Sequence, residues 1–174
     1  MSDTDFLSGD PSAIPFGEKL VSSTGFKALF REGMALVEET AAYLDGPGRA
    51  DSKSLVRAAA LAYATESMRL TTRLMQLASW LLLQRAVNEG EMTAEQARQE
   101  KSKVKLTSLA PEPDGATLEL LPERLMELIT QSLRLQTRIR HLDQVLADRA
   151  RFVPERDNGV ERQLDQLRRA FGGA

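Results

Sequence analysis

The stretch Tyr63-Ala-Thr-Glu-Ser-Met-Arg-Leu70-Thr-Thr-Arg-Leu-Met-Gln-Leu-Ala-Ser-Trp80-Leu-Leu-Leu-Gln-Arg-Ala-Val87 decides the fold. Within it Tyr63, Ser67, Leu70, Leu74, Leu77 and Leu81 alternate spacings of four and three. That is the 3.5-residue period of helices packed side by side with a slight left-handed supercoil. A strand would alternate apolar and polar residues instead. Asp51 or Ser52 offers a cap before this run and Gly90 follows Asn88, so the spacing predicts a helix of about 36 residues, or about 54 Å at its ordinary rise. Its most apolar part, Leu74 to Leu83, is too short for the roughly 20 apolar residues of a membrane helix.

Working outward, a helix is predicted from Thr24 to Leu44, capped by Ser23 or Thr24. Phe26, Phe30, Val37 and Leu44 share one face with Gly33 and Thr40, flanked by Leu29, Leu36 and Tyr43. Asp45-Gly-Pro-Gly48 stops it. Beyond Gly90, Thr93-Ala-Glu-Gln96 has the form of a capping box opening a short helix to about Lys101. Residues 102–121 read as a loop, long for a bundle, that can lie along the helices on Val104, Leu106 and Leu109. The third long helix opens at Pro122 and runs to about Arg151, with Leu125, Leu128, Ser132, Leu135, Ile139, Leu142 and Leu146 as its apolar stripe. The expected fold is therefore all-α: an antiparallel three-helix bundle over residues 22–151, with a flexible arm at 1–21 and a mobile, amphipathic tail at 152–174.

Composition agrees. Of 174 residues, 42% are hydrophobic and only 5% aromatic, so the core is built from aliphatic side chains. There is no cysteine, which excludes disulfides, thiolate metal sites and cysteine nucleophiles and fits a reducing cytoplasm. The acidic N-terminus lacks the pattern of a signal peptide, so a cytoplasmic location is expected. A net charge of −2 gives no general attraction to nucleic acid or anionic lipid.

Chemistry-bearing constellations are missing. The single histidine, His141, has Arg138 three residues earlier, not the glutamate of a helical di-iron site. Gly46-Pro-Gly48 follows a helix instead of a strand, which excludes a phosphate cradle. Neither an enzyme nor a cofactor or metal site is expected. The turn at Gly90 invites comparison with a DNA-binding helix-turn-helix. Its second helix sets Glu95 and Glu100 against Arg98 and Lys101, a poor surface for phosphate, so a DNA-associated transcriptional regulator is the weaker alternative.

Three surfaces stand out as candidates for binding proteins. Trp80, Leu83 and Val87 form a second apolar stripe, either sandwiched within the bundle or a homodimer contact. In the tail, Val160, Leu164, Leu167 and Phe171 keep a helical spacing beside Arg162, Arg168 and Arg169, suited to folding on a partner or to an idle solubilising tail. Arg31, Glu38, Glu39, Arg69 and Arg73 are too many charges for a core, so a solvated face or a docking patch including Arg69 and Arg73 is expected.

Two long runs carry a resemblance. Phe26-Lys-Ala-Leu-Phe-Arg-Glu-Gly-Met-Ala-Leu-Val-Glu-Glu-Thr-Ala-Ala-Tyr-Leu-Asp-Gly-Pro-Gly-Arg49 and the Tyr63–Val87 run, continuing through Glu89-Gly-Glu-Met-Thr93, resemble the first two helices of the bacterial regulator of CtrA degradation (RcdA) family. The likeness is close over residues 26–106 and weaker beyond. It implies a dimer of three-helix bundles that acts as a non-catalytic proteolysis adaptor. Such an adaptor helps deliver cell-cycle regulators such as CtrA to the ClpX unfoldase and ClpP peptidase. It implies as partners a response-regulator-like primer of ClpX and a cyclic-di-GMP-binding adaptor, and recruitment to the cell pole.

Overall fold

Residues 24–104 and 114–152 are described by the computed structural model, and all of their regular structure is helical. In chain order the helices are α1 (Thr24–Asp45), α2 (Pro47–Lys53), α3 (Arg57–Asn88), α4 (Ala94–Lys103), α5 (Gly115–Glu119) and α6 (Glu123–Phe152). The chain divides into two compact units between Thr137 and Arg138, inside α6. The expected arm at 1–21, the tail and the anchors Leu106 and Leu109 lie outside the described residues.

The first unit is a bundle of α1, α3 and the N-terminal half of α6. A Cβ on Gly33 of α1 would meet side chains of both Leu81 of α3 and Leu135 of α6. Nearer the far end of α1, Glu39 pairs with Arg124 at the start of α6. Just past that end, Gly48 lies under the Tyr63 hydroxyl of α3. Numbering thus falls along both α3 and α6 as it rises along α1. The first helix is antiparallel to the other two, and α3 and α6 run parallel. This amends the expected antiparallel bundle, and the long connection is the reason. Parallel neighbours require the chain to return the length of the bundle between the end of α3 at Asn88 and the start of α6 at Glu123.

Buried positions on α1 are Phe26, Leu29, Gly33, Leu36, Thr40 and Tyr43, alternating three and four. Phe30, Val37 and Leu44, expected at the centre of the stripe, are half-buried at its edge. The regular three-four alternation, shared with α3, selects the row through Leu29, Leu36 and Tyr43 instead. In α6, Leu125, Leu128, Ser132, Leu135 and Ile139 are buried as expected, joined by Ile129 and Gln136. The described part of the second unit is α6 from Arg138 to Phe152, where Leu142 and Leu146 are half-buried.

Helix ends follow local chemistry. Pro47 starts a new helix after Gly46, so Asp51 and Ser52 fall inside α2 and α3 begins later than expected, at Arg57. Gly90, at φ 75°, closes α3 in a Schellman motif: Glu91 N–H donates to Ala86 O (2.9 Å) and Gly90 N–H to Val87 O (3.1 Å). The capping box forms as expected, with Gln96 N–H donating to Thr93 Oγ1 (3.2 Å) and Thr93 N–H to Gln96 Oε1 (3.0 Å).

The corner joining α1, α2 and α3 makes the fold sensitive to alkali. Tyr43 donates its hydroxyl to Asp51 Oδ2 at 2.9 Å. Burial, and then the Asp51 carboxylate, hold this phenol well above the ordinary tyrosine range; burial raises Tyr63 too. In the unfolded chain both ionise near pH 10, about the ordinary value. Above that pH the unfolded state binds fewer protons than the native one, so this stability is whole below about pH 10 and falls as pH rises further. Thermal unfolding is expected to show a Tm that declines above about pH 10. Tyr43→Phe should lower neutral-pH stability by about 1–2 kcal/mol through the lost hydrogen bond, yet flatten the alkaline decline. A decline as steep in the variant as in the wild type would remove Tyr43 from this role.

Candidate protein-interaction surfaces

α3 is covered on several sides, and its buried arc is wide enough to take in polar residues. Glu66, Arg73 and Gln84 are buried along with Leu70, Leu74, Leu77, Trp80 and Leu81. Arg73, expected on a solvated or docking face, is only 2% exposed. Its Nη1 donates to Ser132 Oγ of α6 at 3.0 Å, and Ser132 passes its own proton to Ile129 O at 2.7 Å. A charge is ordinarily placed outside, but Arg73 falls on the packed register between Leu70 and Leu77, and its reach carries the guanidinium to the small serine. Arg69 lies at the rim, where its Nη1 meets Glu66 Oε1 at 2.6 Å.

Trp80 is 0% exposed, which rules it out as a contact with another chain in this conformation. The reason is α4, which folds back along α3 so that Lys101 Nζ stands 4.3 Å over the indole and donates to Gln84 Oε1 at 2.7 Å. Leu83 and Val87, the other members of that expected stripe, are half-buried. The tail residues Val160, Arg162, Leu164, Leu167, Arg168, Arg169 and Phe171 lie outside the described residues.

The apolar surface that α3 does leave open is a different one. Leu61, Met68, Met75 and Leu82, spaced by seven, are 71, 72, 65 and 52% exposed. A spacing of seven drifts only about 20° per step around a helix, so these side chains form one shallow stripe. The stripe is about 31 Å long at the ordinary rise. Every exposed residue of α3 from 61 to 82 is uncharged: Leu61, Ala64, Thr65, Met68, Thr71, Thr72, Met75 and Leu82. By contrast the exposed face of α1 carries Lys27, Arg31, Glu32, Glu38 and Glu39. Two hydroxyls on the α3 face are turned back onto its own carbonyls, Thr71 to Ser67 O (2.9 Å) and Ser79 to Met75 O (2.8 Å), so covering them strands no polar group. The stripe also reads alike from both ends. About a point between Thr71 and Thr72, Leu61 corresponds to Leu82, Met68 to Met75, Ala64 to Ser79 and Thr65 to Ala78. The signal was present in the sequence as a second seven-residue repeat, but the denser leucine repeat of the core masked it.

Other surfaces offer less. On α4, Arg98 pairs with Glu95 (2.8 Å), Lys103 with Glu100 (2.7 Å), and Lys101 is folded onto Trp80, an arrangement that presents phosphate with no row of unengaged cations. Among the described residues no group of three or more His, Asp or Glu side chains is placed to hold a metal ion. No helix among them is long and apolar enough to cross a membrane.

Comparison with known proteins places the chain. The family described as protein of unknown function DUF1465 matches residues 17–171. No curated protein matches at a significant level. Among solved structures, the chain is similar to the crystal structure of RcdA from Caulobacter crescentus CB15, at 59% identity and a TM-score of 0.56, over 68% of this chain and 88% of that one. With identity this high over most of the solved chain, and a family match across nearly all of its own length, the protein belongs to the RcdA family.

Proposed function

We propose that this protein is a non-catalytic adaptor of regulated proteolysis that works as a homodimer and delivers cell-cycle regulators such as CtrA to the ClpX/ClpP protease. The observation that carries the reading is the uncharged stripe of α3, a surface built to be covered by protein, on a chain of the RcdA family. An adaptor needs separate binding surfaces and no active site, because tethering raises the effective concentration of substrate at the protease to about the millimolar range.

The stripe is the dimer contact. A two-fold interface places one surface against itself, and the two-way symmetry of the stripe suits an antiparallel pairing of two copies of α3. Leu61 then meets Leu82 and Met68 meets Met75 across the axis. The faces left over, and the tail through Val160, Leu164, Leu167 and Phe171 with Arg162, Arg168 and Arg169, are free for partners. Those partners are a response-regulator-like primer on the ClpX side and a cyclic-di-GMP-binding adaptor, acting in the cytoplasm with recruitment to the cell pole.

Degradation of purified CtrA by ClpX and ClpP, with the primer and the cyclic-di-GMP-binding partner present, tests the reading. Turnover is expected to rise with added protein and to saturate at stoichiometric amounts. Truncation after Arg151 is expected to leave the helices folded, by circular dichroism, and to abolish the acceleration. No acceleration of CtrA or of several other regulators would overturn the adaptor reading. Full activity of the truncated chain would remove the tail from it.

A further inference from the structure

We propose that the cavity between the N-terminal half of α3 and the short helix α5 is a receptor for one arginine side chain, presented by an apolar segment of a partner protein. The cavity has a volume of about 450 Å³ and is lined by Leu61, Thr65, Glu66 and Arg69 on one side and Asp114 and Leu120 on the other. Glu66 is its distinctive feature. It is 2% exposed, and its Oε1 accepts from Arg69 Nη1, but its Oε2 is buried without any hydrogen-bond partner. A buried carboxylate oxygen lacking a donor is costly, and a donor that reached it from the cavity, with a small shift of the lining, would relieve that cost.

The rest of the lining selects the donor. Asp114 accepts from Thr117 N–H through Oδ1 at 2.7 Å and is also hydrogen-bonded by the Thr117 side chain, contacts that hold it ionised at the cavity wall with acceptor capacity remaining on its carboxylate. Glu66 and Asp114 against Arg69 make the lining negative by one charge, which favours a cation. Leu61 and Leu120 are exposed beside these carboxylates, a setting for an alkyl stem that ends in a charge. A guanidinium has five N–H donors in a planar fork and can bond two carboxylates at once, where an ammonium acts as a point charge. The inference goes beyond the adaptor reading by naming the side chain that is recognised; Leu61 is shared with the proposed dimer contact, whereas Glu66 and Asp114, which select the ligand, are not part of it.

Amide chemical shifts of the full-length chain, titrated with n-butylguanidinium and separately with the neutral isostere n-butylurea, test it. A pentapeptide pair, acetyl-Leu-Ala-Arg-Ala-Leu-amide and its citrulline counterpart, extends the test to a protein segment. Saturable shifts are expected at Thr65, Asp114 and Thr117, about tenfold weaker for the urea and for the citrulline peptide. Glu66→Gln keeps the acceptor for Arg69 and should weaken binding about tenfold, and Asp114→Asn about threefold. If Glu66→Gln does not fold, Asp114→Asn, which retains the α5 cap, decides. The same titration on Met68→Glu/Met75→Glu, which leaves every cavity residue in place and uncovers Leu61, separates this site from the dimer contact and should show binding at least as tight as that of the wild type. Shifts scattered over the surface, equal binding of charged and neutral probes, or wild-type binding by both cavity variants would overturn the proposal. So would binding that appears only after truncation at Arg151, since the chain's own tail would then be the occupant.

Discussion

Trp80→Ala is expected to lower the stability of the folded chain by about 3–5 kcal/mol, the range for deleting a large buried aromatic side chain. The indole is completely covered, packed in the bundle and capped by Lys101 of α4. Its removal opens a cavity in α3 and also takes away the ring over which the ammonium sits, a contact worth about 0.5–2 kcal/mol. Denaturant unfolding should show the loss as a lower midpoint. Amide exchange should show α4 opening before the rest, because Ala97 is its one buried side chain. The self-association constant of the folded protein should not change. If Trp80→Ala instead left the unfolding midpoint in place and split the dimer, the indole would be an intermolecular contact and the covering role of α4 would be wrong.

The complementary expectation concerns Met68 and Met75. The double substitution Met68→Glu/Met75→Glu should weaken self-association at least about 100-fold, close to 3 kcal/mol, while leaving the stability of the folded chain within about 0.5 kcal/mol. Both side chains stand in solvent on the isolated chain, and glutamate is as good a helix former as methionine. In the antiparallel pairing, however, the new carboxylates face one another across the two-fold axis, and the one partly exposed cation of α3 between Leu61 and Leu82, Arg69, is already paired with Glu66. Burying unpaired like charges is strongly unfavourable. Sedimentation velocity across a concentration series would read the shift. An unchanged association constant would mean that copies of this chain do not meet through the stripe, and the stripe would then belong to another partner.

Much of this protein was legible in its sequence. The three-four spacing of Tyr63, Leu70, Leu74, Leu77 and Leu81 determined that the chain is helical and which row of α3 is buried, because helix geometry ties spacing to face. Thr93 and Gln96 determined where α4 begins, since capping is settled by residues in immediate contact. What the sequence could not decide were the properties that depend on a neighbour distant in the chain. Whether Trp80 is outside or inside depends on α4 folding back over it, and whether Arg73 is solvated depends on Ser132 standing 59 residues away. The parallel course of α3 and α6 likewise depends on α6 starting beside the end of α1, where Arg124 pairs with Glu39, 85 residues away. Helical periodicity alone carries no direction, so it reads the same for an antiparallel neighbour as for a parallel one. Only the tertiary structure, by covering one apolar row of α3 and leaving the other open, distinguished the core repeat from the stripe of Leu61, Met68, Met75 and Leu82.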